Sequence, residues 1–160
     1  MDIVRDRHSI GGSNYHLQFT PKYRKPVFRN QKIRKLVKAA FEYKANILHV
    51  SIEAMEFGPD HVHLFVTNCK QYSVSKLAQY FKGYSSYIVR KHLPYDVMYF
   101  NYGSSFWSDG FFYESIGRVT SDIVRYYIDR QQKKHWLRIR SEKSEVPVPM
   151  IQTSLKSFYS

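Results

Sequence analysis

The sequence predicts an α+β protein built on a ferredoxin-like βαββαβ sheet, with its helices on one face and a further helix at the C-terminal end. Three observations predict it. Apolar and other residues alternate with period two in three short stretches, around 15–19, 47–55 and 61–67, and 106–113 is aromatic strand material broken at Asp109-Gly110. Helical spacing fills the two long intervals, 31–45 and 74–92, and turn or capping signals stand at the boundaries.

Taken in order, residues 1–12 carry mixed charges and end in Gly11-Gly12, a loose lead-in. Tyr15, Leu17 and Phe19 alternate with Asn14, His16 and Gln18 as a first strand, closed by Pro21. The basic segment Lys22-Tyr23-Arg24-Lys25-Pro26 follows; three cations around one ring suit a phosphate backbone, and equally a solvated loop. Asn30 caps a helix whose inner stripe is Ile33, Leu36, Val37, Ala40 and Phe41, with Lys32, Arg34, Lys35 and Lys38 as a basic outer face. Ile47 to Met55 reads as a second strand with Leu48, Val50, Ile52 and Ala54 on one side. The turn Phe57-Gly58-Pro59-Asp60 joins it to a third strand, His61 to Thr67, as an antiparallel neighbour.

Ser73 caps a second helix with Val74, Leu77, Phe81, Tyr84 and Ile88 inward, ended by Leu93-Pro94. Phe106 to Tyr113 is strand material broken at Asp109-Gly110. Past Gly117, Thr120 caps a third helix with Ile123, Val124, Tyr127, Ile128 and Gln131 on one stripe. Lys133, Lys134, Arg138 and Arg140 make its end basic. The domain is expected to span 1–140, with 141–160 as a tail.

Composition narrows the class. The 160 residues fit a single core-forming domain. Lys plus Arg number 25 against 13 Asp plus Glu, a net charge of +12, which favours a polyanionic partner such as nucleic acid. Aromatics reach 17%, enough for stacking bases beside a basic groove, although most must be core. The single Cys69 permits no internal disulfide, and no stretch has a membrane-span or signal-peptide pattern, so a cytoplasmic protein is expected.

On the third strand, Val62, Leu64 and Val66 are expected to enter the core, while His61, His63 and Phe65 share the opposite face. Two imidazoles two residues apart on one strand converge on one cation, or are simply two surface histidines. Phe65 either stacks a base or shields the site. His8, His16, His49, His92 and His135 have no partner at ligand spacing and read as ordinary residues.

Together these stretches resemble the HUH-type single-tyrosine transposases of insertion sequences and their repeat-associated relatives. The segments that carry the resemblance are Phe19 to Phe28, Asp60-His61-Val62-His63-Leu64-Phe65, Phe106-Trp107, Ser115 to Thr120 and Tyr127-Ile128-Asp129-Arg130-Gln131, all within about 13–135. The resemblance implies that His61 and His63 are metal ligands with Gln131 as the third, and that Tyr127 is the nucleophile. It also implies Mg2+ or Mn2+ as cofactor, single-stranded DNA hairpins as partner, and cleavage and rejoining through a 5′-phosphotyrosine. A homodimer with active sites shared between subunits follows from the same source, with Gly117 as the hinge of the tyrosine helix.

The chemistry is coherent. A free tyrosine ionises near pH ~10, so a divalent ion beside the scissile phosphate helps where the phenolate attacks. Tyr127 and Gln131 lie four residues apart, one helical turn. Tyr126, the rival nucleophile, is displaced by about 100° round the helix. The cations expected to meet DNA are Lys22, Arg24, Lys25, Lys82, Arg130, Lys133 and Lys134. Two other readings stand beside this one. One is a non-catalytic nucleic-acid-binding module of RNA-recognition-like fold; the other is a His-x-His nuclease that uses water and makes no protein–DNA adduct.

Overall fold

The computed structural model describes residues 5–6, 9–10, 13–100, 103 and 105–116. Arg5–Asp6 (β1) and Ser9–Ile10 (β2) form a short antiparallel pair. The main sheet contains Asn14–Phe19 (β3), Ser51–Gly58 (β4), His61–Thr67 (β5) and Phe112–Ile116 (β6), in the order β4-β5-β3-β6 with every neighbour antiparallel. This is the expected βαββαβ arrangement: the first and third strands of the motif lie side by side at the centre. Gln31–Leu48 (α1) and Val74–His92 (α2) supply the helical layer, and a short helix, Pro94–Tyr99 (α3), follows.

Local chemistry accounts for the helix ends. Asn30 accepts hydrogen bonds from the amides of Lys32 and Ile33, and Ser73 accepts one from Lys76, each satisfying N–H groups that a helix start leaves open. Pro94 closes α2 as expected and then occupies the first turn of α3, where its missing N–H costs nothing.

One apolar core binds the layers. Leu17 and Phe19 of β3, Val62, Leu64 and Val66 of β5 and Met55 and Phe57 of β4 pack with Ile33, Val37 and Phe41 of α1 and Leu77 and Phe81 of α2. Trp107 stacks on Phe41 with centroids 5.9 Å apart, and its indole N–H donates to Ser85 Oγ at 2.9 Å.

Several expectations are corrected. The spacing Phe41, Ala45, Leu48 continues the buried stripe, so α1 runs to Leu48 and β4 begins at Ser51 instead of Ile47. His49, left-handed at φ 57°, closes the helix through its amide. A bulge between Ile52 and Ala54 adds one residue to β4. Side-chain phase therefore flips there: Ile52 pairs with Val66, whereas Ala54 pairs with Phe65 on the other face. In α2 the fully buried positions are Leu77, Ala78, Phe81, Ser85 and Val89, so the stripe is turned from Tyr84 and Ile88, which are half-buried. Arg34 and Lys38 are buried and do not belong to an outer basic face; Lys38 pairs with Glu42 at 3.5 Å. Phe106 and Trp107 are core residues, Trp107 forming an isolated bridge to Pro21, and the last strand starts only at Phe112.

Candidate metal and phosphoryl-transfer site

The site grows from the β4–β5 hairpin. Its strands meet at the pair Gly58–His61, leaving Pro59 and Asp60 as the connection. Gly58 has no positive φ, so the turn does not demand glycine. The requirement comes from close approach: a Cβ at Gly58 would overlap the His61 ring carbon Cε1. Glycine is what lets the imidazole lie flat against the neighbouring strand.

His61 and His63 stand on the same face of β5, with ring centroids 4.9 Å apart and planes at 80°. Both are almost wholly buried, at 3% and 5% exposure. Each is gripped through Nδ1. The Nδ1–H of His61 donates to Asp60 Oδ1 at 2.9 Å, and Asp60 Oδ2 lies 3.6 Å from Arg24 Nε. His63 Nδ1 lies 2.9 Å from Nε2 of His16, and the two rings are within 15° of parallel with centroids 4.9 Å apart, edge to edge as an in-plane hydrogen bond requires. His16 is fully buried, and burial pushes its imidazole down to about 4, so it is neutral at physiological pH.

Register defines what surrounds the pair. Glu56 of β4 and Gln18 of β3 lie directly opposite His63 on either side, while Ala54 and His16 flank Phe65. Phe65 is fully buried and packs against Ala54 and Ile116.

Beside the turn, Lys22–Arg24 forms a single 3-10 turn in which Tyr23 and Arg24 both take left-handed φ, 60° and 50°. Two consecutive non-glycine residues in that region carry strain that the surroundings must hold. The holding contacts are Lys22 N–H to Phe106 O at 2.9 Å and Arg24 N–H to Pro21 O at 2.9 Å. Phe28 N–H to Pro59 O, at 3.1 Å, ties the following segment to the hairpin turn. Tyr23, Arg24 and Lys25 are exposed at this edge, and Tyr23 reaches 70% exposure.

The donor set fits a divalent cation in part. His61, its Nδ1–H held by Asp60, presents Nε2 as a ligating nitrogen, and His63 does the same when the proton of its contact with His16 sits on Nδ1. Among the described residues no group of three or more His, Cys, Asp or Glu converges on one point, so a third donor must have another source. Gln131, Tyr127 and its rival Tyr126, Gly117, Arg130, Lys133 and Lys134 all lie outside the described residues. Lys82 is placed: burial pulls its ammonium pKa down, and it donates to the carbonyls of Ser108, Asp109 and Gly110 at 2.6, 3.2 and 3.2 Å. It staples the 108–110 turn to α2. His16 is the site residue that the one-dimensional reading missed. Its signal was there in the alternation of β3, which sets it opposite Leu17 and Phe19, on the histidine side.

Comparison with known proteins agrees with this architecture. Residues 9–131 match the family model described as transposase, IS200-like. The chain is 28% identical over 142 residues to the transposase for insertion sequence element IS200 of Salmonella typhimurium (strain LT2), covering 89% of this chain and 90% of that protein. The same figures hold for the IS200 transposase of Salmonella typhi. A candidate transposase from Deinococcus radiodurans R1 superposes with a TM-score of 0.64 at 22% identity, over 81% of this chain and 98% of that one. A REP-associated tyrosine transposase, solved bound to a REP hairpin, superposes with a TM-score of 0.54 at 18% identity, over 81% and 69%. At these identities the two structures speak for the fold.

Proposed function

Because the chain belongs to the IS200-like transposase family, we propose that it binds single-stranded DNA hairpins at element ends and cuts and rejoins the strand through a 5′-phosphotyrosine. The observation that carries the reading is the buried pair His61 and His63, side by side on one sheet face with both Nδ1 atoms engaged. Burying two imidazoles costs desolvation that an apolar pair would not suffer, which supports a functional role for them.

In this reading His61, His63 and Gln131 hold Mg2+ or Mn2+, which when bound supplies charge neutralisation at the scissile phosphate. Tyr127 is the nucleophile. Its phenolate oxygen bonds to phosphorus, the P–O3′ bond breaks, and the departing oxygen takes up a proton to become a 3′-hydroxyl. Attack by a 3′-hydroxyl on the phosphotyrosine reverses the step and rejoins a strand. Gly117 is the hinge of the tyrosine helix, which completes the histidine site of a partner subunit in a homodimer. The domain ends near residue 140, with 141–160 as its tail, and the protein works in the cytoplasm.

Lys22, Arg24 and Lys25 beside the hairpin turn, with Arg130, Lys133 and Lys134, contact the phosphate backbone. Lys82 serves only if phosphate displaces its three carbonyl partners. The net charge of +12 supports a polyanionic partner. The hairpin on the REP-associated relative supports its shape.

The test is incubation with labelled single-stranded hairpin ends in Mn2+, followed by denaturing electrophoresis. A covalent protein–DNA adduct that maps to Tyr127, and that is absent in Tyr127→Phe, is expected. Chelation should stop cleavage and leave hairpin binding intact. Cleavage without any adduct would overturn the tyrosine mechanism in favour of a water-using nuclease.

A further inference from the structure

We propose that His16 is a positioning residue that fixes the tautomer and ring orientation of His63, so that Nε2 of His63 carries the lone pair a metal ion needs. The inference rests on the metal-site reading above. It starts from a position that local folding logic leaves unexplained. His16 is wholly buried in the centre of the sheet, opposite Phe65 on one side and Glu114 on the other. An apolar β-branched residue would suit such a strand position without the desolvation that an imidazole suffers.

The geometry supplies the reason. The contact of 2.9 Å between His16 Nε2 and His63 Nδ1 has one proton between two nitrogens. If the proton sits on His16, the lone pair of His63 is at Nδ1, its Nε2 carries hydrogen, and it cannot ligate. If the proton sits on His63 Nδ1, Nε2 is the basic nitrogen. The neighbouring ligand settles which arrangement suits a shared ion. A carboxylate only accepts, so Asp60 makes His61 Nδ1 the donor and Nε2 the lone-pair nitrogen. His16, edge to edge with His63 and nearly coplanar with it, does for the second imidazole what Asp60 does for the first. The two supports come from different elements: Asp60 from the turn just before β5, His16 from the adjacent strand β3.

The two ligands are thus asymmetric in charge. One is backed by an anion that also meets Arg24 at 3.6 Å; the other is backed by a neutral ring in the sheet interior. A neutral acceptor orients without adding negative charge next to a site that must receive a phosphate.

The experiment uses the full chain, labelled with 15N-histidine and kept metal-free at neutral pH. Long-range 1H–15N correlation spectra, with His63 identified by its loss in His63→Ala, are expected to show His63 protonated on Nδ1. A His63 protonated on Nε2 would overturn the proposal. Two variants then separate positioning from packing. His16→Leu keeps the bulk but cannot accept, and should weaken Mn2+ binding by about 10–100-fold while His63 shifts to mixed tautomers. His16→Gln places an amide oxygen near the lost Nε2 and should restore affinity to within a few-fold. Equal Mn2+ affinity in wild type and His16→Leu would overturn the proposal; should His16→Leu fail to fold, the wild-type spectrum still decides it. If His63→Ala binds Mn2+ as tightly as wild type, the metal-site reading itself falls, and this proposal with it. A wrong tautomer in wild type with Mn2+ still dependent on His63 sinks the His16 role alone.

Discussion

The two faces of β5 make an instructive pair. Val62, Leu64 and Val66 point one way; His61, His63 and Phe65 point the other; and all seven residues of the strand are buried. On the first face the side chains join the apolar core, with residues from both helices and from β3 and β4. Removing such a side chain from water contributes about 1.5–3 kcal/mol. On the second face imidazoles lie among Asp60, Glu56, Gln18 and His16, and their burial works against folding. One strand therefore carries a stabilising surface and a chemical surface in alternate residues. The rigidity of the first is what holds the second in place.

Adjacent substitutions break the comparison most sharply. His63→Ala should reduce DNA cleavage on the order of 10³-fold or more while shifting the melting temperature little. Measured single-turnover cleavage near wild type would mean that the polar face has no part in the chemistry.

Leu64→Ala, one residue on, should do the reverse. It should cost about 2–5 kcal/mol in denaturant unfolding and leave Mn2+ affinity per folded molecule unchanged. A loss of metal affinity without loss of stability would show that the two faces are not separable.

Gly58→Ala tests the seam between them. Its new methyl group collides with the His61 ring, which must move off β4. Mn2+ affinity should fall by about 10-fold, with a stability loss of roughly 1 kcal/mol. Unchanged affinity would show that His61 is held by Asp60 alone.

The smallest effect concerns the dry layer. Cys69 is fully buried in the apolar core, and burial pushes its thiol up to about 12. Iodoacetamide at pH 8 should leave the native protein unmodified by intact mass and label it at once in denaturant. Because the folded-state value is raised, the stability tied to the protonated thiol is complete below about pH 9 and is lost as pH climbs towards 12. Rapid native alkylation would place an opening in the core.

Much of this architecture is written locally. Period-two alternation assigns Leu17 and Phe19, and Val62, Leu64 and Val66, to the core without reference to any other strand, because successive side chains leave a strand on opposite sides. Asn30 and Ser73 announce the two long helices, since their side chains cap amides two to three residues ahead. The basic balance and the His61/His63 spacing are equally one-dimensional.

What the tertiary structure alone decided depends on register and on strand order. That His16 touches His63 across 47 positions follows from β3 lying beside β5, and no local pattern contains it. The bulge in β4 reassigns Ala54 to the histidine face because one extra residue inverts the alternation. Gly58 reads as a turn glycine in sequence, yet it is required by the His61 ring on the neighbouring strand. Lys82 reads as a surface cation, yet three carbonyls brought 26 to 28 positions along the chain claim it. In each case the deciding energy is a contact made across the sheet or between layers, whether three residues apart at Gly58 and His61 or 47 apart at His16 and His63. Such contacts exist only once the sheet has chosen its partners.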